Sequence, residues 1–252
     1  MTSDCRKLAT LGLVGKLVKH TRPENFDKLV RYLSSWSGTD KFFMLIQYIS
    51  KLVIWSLNKS KKADGLSTRM RSLSALVGDH RVLLRLWAFQ GLLPMLQWAE
   101  SIESERKVSK LALNVERLQA LSMIAYYPLE HTWYLAHHGV LPVTPSTSNK
   151  IAVWSCRFWM LYTVLQLVHN WDDHSTLLKD KERDLSEEKG VNRFAIDKKL
   201  KGIVDDTIIN LAYLPLTLHW SLPAGIFSND AWVGLFGSIA AVTQFKVGYT
   251  NA

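Results

Sequence analysis

Apolar residues recur at helical spacing along almost the whole chain, and the two-residue alternation of a half-buried strand is nearly absent. Without strands, apolar surface can be buried only by packing helix on helix. The expected fold is therefore an all-α bundle, one large domain or two small ones in 252 residues.

Turn residues divide the pattern. Pro23 suits the start of a helix over Glu24–Trp36, with Phe26, Leu29, Val30 and Leu33 on one face. Gly38 breaks that helix. Thr39 is the expected N-cap of a second helix over Asp40–Asn58, with Asp40 at the positive end of its dipole. A lysine-rich turn follows, and Leu66–Trp98 is expected to kink at Pro94. After a charged turn at Glu100–Lys107, Val108–Gly139 reads as helix with a break at Pro128 and a glycine stop at Gly139. Leu141–Lys150 holds two prolines and reads as a loop. It separates a basic amphipathic region (1–140) from an apolar helical region (151–252) that contains a charged loop at 172–206.

Charge follows the same division. Residues 1–99 hold 16 Lys and Arg against 6 Asp and Glu, a balance of +10, while residues 100–252 hold 15 against 16, a balance of −1. Such asymmetry calls for a polyanionic partner, nucleic acid or anionic lipid. Leu, Trp and Phe interleaved with the arginines favour lipid, because a nucleic-acid helix rarely needs so wide an apolar face. Ten tryptophans suit either a membrane interface or a core.

Three stretches approach the length of a membrane span: Ile151–Trp171, Ile208–Phe227 and Trp232–Tyr249. Trp232–Tyr249 ranks first as the candidate C-terminal transmembrane helix, because Trp232, Lys246 and Tyr249 sit where interfacial anchors belong. The alternative is that all three are core helices of a soluble bundle. Asp172–Asp206, with ten acidic and eight basic residues, must be solvated.

Within the N-terminal half, Leu66, Met70, Leu73, Val77, Leu84, Trp87 and Gly91 share one helical arc of about 100°. Leu76 and Leu83 widen it, and Arg71, Arg81 and Arg85 lie along the other flank. This is the profile of a helix lying in the membrane interface, or of an ordinary core-facing helix with a charged outer side. On the first reading Leu73, Val77, Leu84 and Trp87 insert, and Arg71, Arg81 and Arg85 contact lipid phosphates.

Catalytic signatures are missing. The chain shows no phosphate-cradling glycine loop, nucleophile elbow or zinc motif, so no enzyme activity, cofactor or metal is expected. Asp172-Asp173-His174 reads as a solvated helix end rather than a cation site. Cys5 and Cys156 fit a reducing compartment without a disulfide framework. Residues 1–20 lack the apolar core of a cleavable signal, and Thr250-Asn251-Ala252 is neither a peroxisomal import tripeptide nor a retention signal.

Two stretches carry a resemblance. Thr39-Asp40-Lys41-Phe42-Phe43-Met44-Leu45-Ile46-Gln47-Tyr48, followed by Leu73 to Leu86 with Arg81 and Arg85, resembles the early "TDK…QY" helix and the "R…LR" amphipathic helix of the peroxin-11 family. Leu214–Trp220 and Gly234–Ala241 resemble the family's closing region, and the divergent middle is closer to its fungal branches. The resemblance implies a peroxisomal membrane protein that elongates the membrane and promotes peroxisome division, with Leu66–Trp87 inserting into the cytosolic leaflet. It also implies self-association and work with a dynamin-related GTPase and its membrane adaptor. Docking of the membrane-protein import receptor is expected at Arg81–Leu93 or Arg157–Val168. No nucleic acid is expected. Two rival readings remain: a metabolite channel with Arg157, His169 and His219 facing an aqueous path, and a soluble helical scaffold for an acidic partner.

Overall fold

The all-α expectation holds. A computed structural model describes residues 23–60, 64–87, 92–104, 110–186 and 193–252. Among these residues lie eight α-helices and no strand: α1 Pro23–Leu33, α2 Trp36–Ser60, α3 Asp64–Trp87, α4 Leu92–Ser104, α5 Lys110–His137, α6 Pro145–Ser186, α7 Arg193–Ser221 and α8 Asp230–Asn251.

Local chemistry sets several boundaries differently from expectation. Helix α2 begins before Thr39, because the Ser35 hydroxyl accepts the Gly38 N–H at 3.0 Å and takes the capping role. Thr39 lies inside the helix and donates back to the Leu33 carbonyl at 2.6 Å. Gly38 does not break the helix; a Cβ there would stand 1.9 Å from the Tyr32 carbonyl oxygen, so only glycine lets the two helices turn so tightly. Pro128 sits within α5 without ending it. Gly139 does end it, at φ 72°, the left-handed stop expected there.

The loop expected to reach Lys150 stops at Thr144. Pro145 occupies the first turn of α6, where a missing N–H costs nothing, and the Thr144 hydroxyl accepts the Thr147 N–H at 3.3 Å. The charged stretch 172–206 is likewise no loop over its described residues. Helix α6 continues to Ser186, α7 starts at Arg193, and Lys181 meets Asp197 at 2.6 Å across the pair. Residues 187–192 lie outside the described residues.

Six helices form a closed circuit. α5 packs on α6, α6 on α7, α7 on α8, α8 on α2 and α2 on α3, and a thin seam between α3 and α5 completes the ring. α1 lies against α2 and α8, and α4 against α5. All six ring helices contribute side chains to a central cavity of about 610 Å³.

The apolar core sits to one side of that cavity, where Met44 and Tyr48 of α2, Ala212 and Leu216 of α7, and Val233, Ala240 and Ala241 of α8 are buried together. Small residues on α8 allow this. A Cβ on Gly237 would lie 2.2 Å from the Tyr48 ring, so the aromatic rests directly on the α8 backbone. α8 is thus the core partner of α2 rather than the foremost span candidate. Among the described residues, the helix long and apolar enough to cross a membrane is instead Pro145–Arg183, with mean hydropathy 1.4 in a window that is only 11% buried.

Candidate functional site

The orientation of α3 is decided by what α2 offers it. The two helices run antiparallel, and their contacts are polar along the whole length. The Ser67 hydroxyl donates to Asn58 Oδ1 at 2.7 Å, and Ser74 donates to the Gln47 carbonyl at 3.2 Å. Arg81 Nε donates to Asp40 Oδ1 at 2.8 Å, and its Nη1 to Gln47 Oε1 at 2.7 Å. Lys41 approaches the other oxygen of Asp40 at 3.1 Å.

A second ion pair crosses the seam to α5. Arg85 donates from Nε and Nη2 to the two oxygens of Glu130, at 3.0 and 2.6 Å, a fork-on-fork arrangement. The Tyr126 hydroxyl also donates to Glu130, at 2.5 Å. Nearer the start of α3, Asp79 accepts from the Tyr134 hydroxyl at 3.3 Å and meets His138 at 2.7 Å.

These pairs fix the charge state of the carboxylates. Burial works against the charge of Asp40, but Arg81 and Lys41 outweigh it and hold the carboxyl down to about 2. Burial likewise opposes the Glu130 charge, but the Arg85 guanidinium, helped by the Tyr126 hydroxyl, outweighs it and holds the carboxyl below the usual carboxylate range. Removing one member of such a pair strands the other charge, at about 3–5 kcal/mol.

With Ser67, Ser74 and Arg81 turned inward, α3 presents leucine outward. Leu66, Leu73, Leu76 and Leu83 are exposed, Leu76 by 68%. Arg69, Arg71 and Ser72 are exposed on the same helix, so its outer side mixes leucine with cations, as suits a membrane–water interface.

The residues expected to contact lipid are therefore separated by the fold. Leu73 and Arg71 stand on the outer surface; Leu84 and Arg85 are half-buried; Val77 and Arg81 are buried. Trp87 ends α3, and its side chain, like Gly91, lies outside the described residues. Hydropathy alone could not separate these positions, because the partners of Arg81 and Arg85 lie 41 and 45 residues away. Glu130 escaped notice altogether. The available signal was a lone carboxylate among the aromatics of an otherwise uncharged helical stretch, which marks a buried pair.

Other candidate positions also find partners. Arg157 donates to the Ser221 carbonyl at 3.3 Å and stacks over Trp154. His219 accepts the Ile226 and Phe227 N–H groups at Nδ1, closing the turn into α8. His219 lines the central cavity, and His169 lines a separate one beside Asp206. Asp206 accepts from Gln166, Asn170 and Asn210 at 2.8–3.0 Å. Among the described residues no three His, Cys, Asp or Glu converge on a metal position.

The two motifs that carried the family resemblance are thus the two halves of one contact, Asp40 and Gln47 from the first meeting Arg81 from the second. The family model for peroxisomal biogenesis factor 11 matches residues 26–246, a stretch that takes in both. The chain belongs to this family. An uncharacterized protein of Schizosaccharomyces pombe is 24% identical over 198 residues, covering 79% of this chain and 86% of its own length. No solved structure matches. As a member of the peroxisomal biogenesis factor 11 family, the protein is a peroxisomal membrane protein with a role in peroxisome division and proliferation. The family is one of biogenesis factors, not of enzymes.

Proposed function

We propose that this family member remodels the peroxisomal membrane by lodging the outer face of α3 in one leaflet. The observation that carries the reading is the leucine stripe: Leu66, Leu73, Leu76 and Leu83 are all exposed on a helix whose Ser67, Ser74 and Arg81 are buried within the protein. Burying each leucine in acyl chains contributes about 1.5–3 kcal/mol, enough together to hold the helix at the interface. Arg71 lies on the outer surface and supplies the phosphate contact. Arg81, Arg85 and Val77 are held within the ring, so they and Leu84 reach lipid only when α3 swings away from α2 and α5. Insertion into one leaflet expands it relative to the other and favours a tubule, which a dynamin-related GTPase recruited through its adaptor then severs. Self-association along the tubule extends the effect.

The test is flotation and tubulation of anionic liposomes by the full-length protein. Replacing Leu73, Leu76 and Leu83 together by Ser should abolish tubulation while the helical circular-dichroism signal stays intact. Tubulation at the wild-type level by that variant would remove α3 as the wedge. A second reading has one observation in its favour, the central cavity lined by all six ring helices. Solute flux through reconstituted protein, unaffected by the leucine changes, would favour that channel over remodelling.

A further inference from the structure

Where the ring is thinnest, a cleft of about 1340 Å³ opens between α2, α3 and α5. Its walls include Ile54, Leu76 and Val82, and two indoles, Trp55 and Trp133, also line it. Both of its carboxylates are already engaged. Asp79 is bonded to Tyr134 and His138, and Asp230 meets Lys51 at 3.1 Å. Two of its cations are not. Among the described residues no carboxylate pairs with Lys59 or with Arg71, and the Lys59 ammonium rests 5.4 Å from the centre of the Trp55 ring.

We propose that this cleft is a binding site for a single anionic phospholipid, its phosphate between Lys59 and Arg71 and an acyl chain along Leu76 and Val82. Apolar walls, indoles and two unneutralised cations in one cleft match the three zones of such a lipid: chain, boundary and headgroup. A soluble anion would use the cations and leave the walls bare, and an uncharged lipid would use the walls and leave the cations unpaired. Leu76, exposed by 68%, joins the cleft wall to the outer stripe of α3, which gives a lipid in the leaflet a continuous apolar path inward. The site requires that the protein reside in a membrane; it does not require that α3 deform one.

Native mass spectrometry of the full-length protein, stripped of lipid in detergent, tests the assignment. Phosphatidylserine or phosphatidylcholine with identical chains is added back. One phosphatidylserine per chain should be retained in preference to phosphatidylcholine, and Lys59→Gln and Arg71→Gln should each weaken retention about fivefold. Ala75→Trp, at an exposed position on the cleft wall, fills the space without touching the charges and should abolish retention. Equal retention of both lipids, retention unchanged by Lys59→Gln combined with Arg71→Gln, or retention by Ala75→Trp would each overturn the site. Displacement of the lipid by an equal concentration of inorganic phosphate would overturn it as well, making it a soluble-anion site. Tubulation measured in parallel keeps the two proposals apart, since replacing only Leu73 and Leu83, neither of which lines the cleft, weakens tubulation and leaves the bound lipid in place.

Discussion

Helix α2 has two long partners, and it holds them by opposite means. Against α8 the contact is mainly one of shape, with Lys51–Asp230 an exposed ion pair at its end: Leu52 lies on Gly234, Tyr48 lies on Gly237, and Ala240 and Ala241 are wholly buried. Against α3 the contact is one of charge and hydrogen bonding, through Asp40, Gln47 and Arg81, and the closure onto α5 rests on Arg85 and Glu130. A shape-matched interface loses contacts at any displacement and has no alternative state to move to. A charge-matched interface beside lipid headgroups does have one, because phosphates and water can replace the carboxylates. α2, α7 and α8 therefore share one apolar core, and α3 is joined to it through charge and hydrogen bonds.

The sharpest way to break this contrast is at Glu130. Glu130→Gln leaves Arg85 without its carboxylate and should destabilise the protein by about 3–5 kcal/mol in denaturant unfolding. The loss should appear first as faster hydrogen exchange in α3. Replacing the pair together, Arg85→Met with Glu130→Leu, should recover most of that stability, since no charge is then stranded. The opposing test is Gly237→Ala, whose new methyl overlaps the Tyr48 ring; a loss of about 1–3 kcal/mol is expected, spread over α2 and α8 and sparing α3.

Acid should open the same division. The Asp40 carboxyl is held at about 2 against an ordinary 3.8, so between these values the unfolded chain binds the proton and the folded one does not. The stability it contributes is complete above pH 3.8 and lost as the pH falls towards 2. Hydrogen exchange in α3 should rise across that window while the α2–α8 contact stays protected. The smallest effect is expected at the half-exposed pair His138–Asp79, where His138→Ala should cost less than about 1 kcal/mol in the same unfolding measurement.

Much of the frame was legible in the sequence, because helical periodicity and turn residues are local signals. Gly139 stops α5 where a left-handed residue was expected. Pro128 shows the limit of such signals: a helix supported by its neighbours on both sides tolerates a proline that would end an isolated one. The facing of α3 was not legible at all. Its leucines and arginines could be sorted on a wheel, yet which set turns inward depends on Asp40 and Glu130, which come from other helices. Trp232–Tyr249 misled for a related reason. The small residues that make it resemble a membrane helix are equally what close packing against Tyr48 requires.

The length of α6 has a mechanical consequence. Its 42 residues extend about 63 Å at 1.5 Å per residue, roughly twice the 30 Å hydrocarbon thickness of a bilayer. A crossing by its apolar half leaves the charged half standing clear of the headgroups, braced by the start of α7 through Lys181 and Asp197. In any placement that puts the apolar half in hydrocarbon, the charged half is therefore a stiff helical extension held in water rather than a flexible tether.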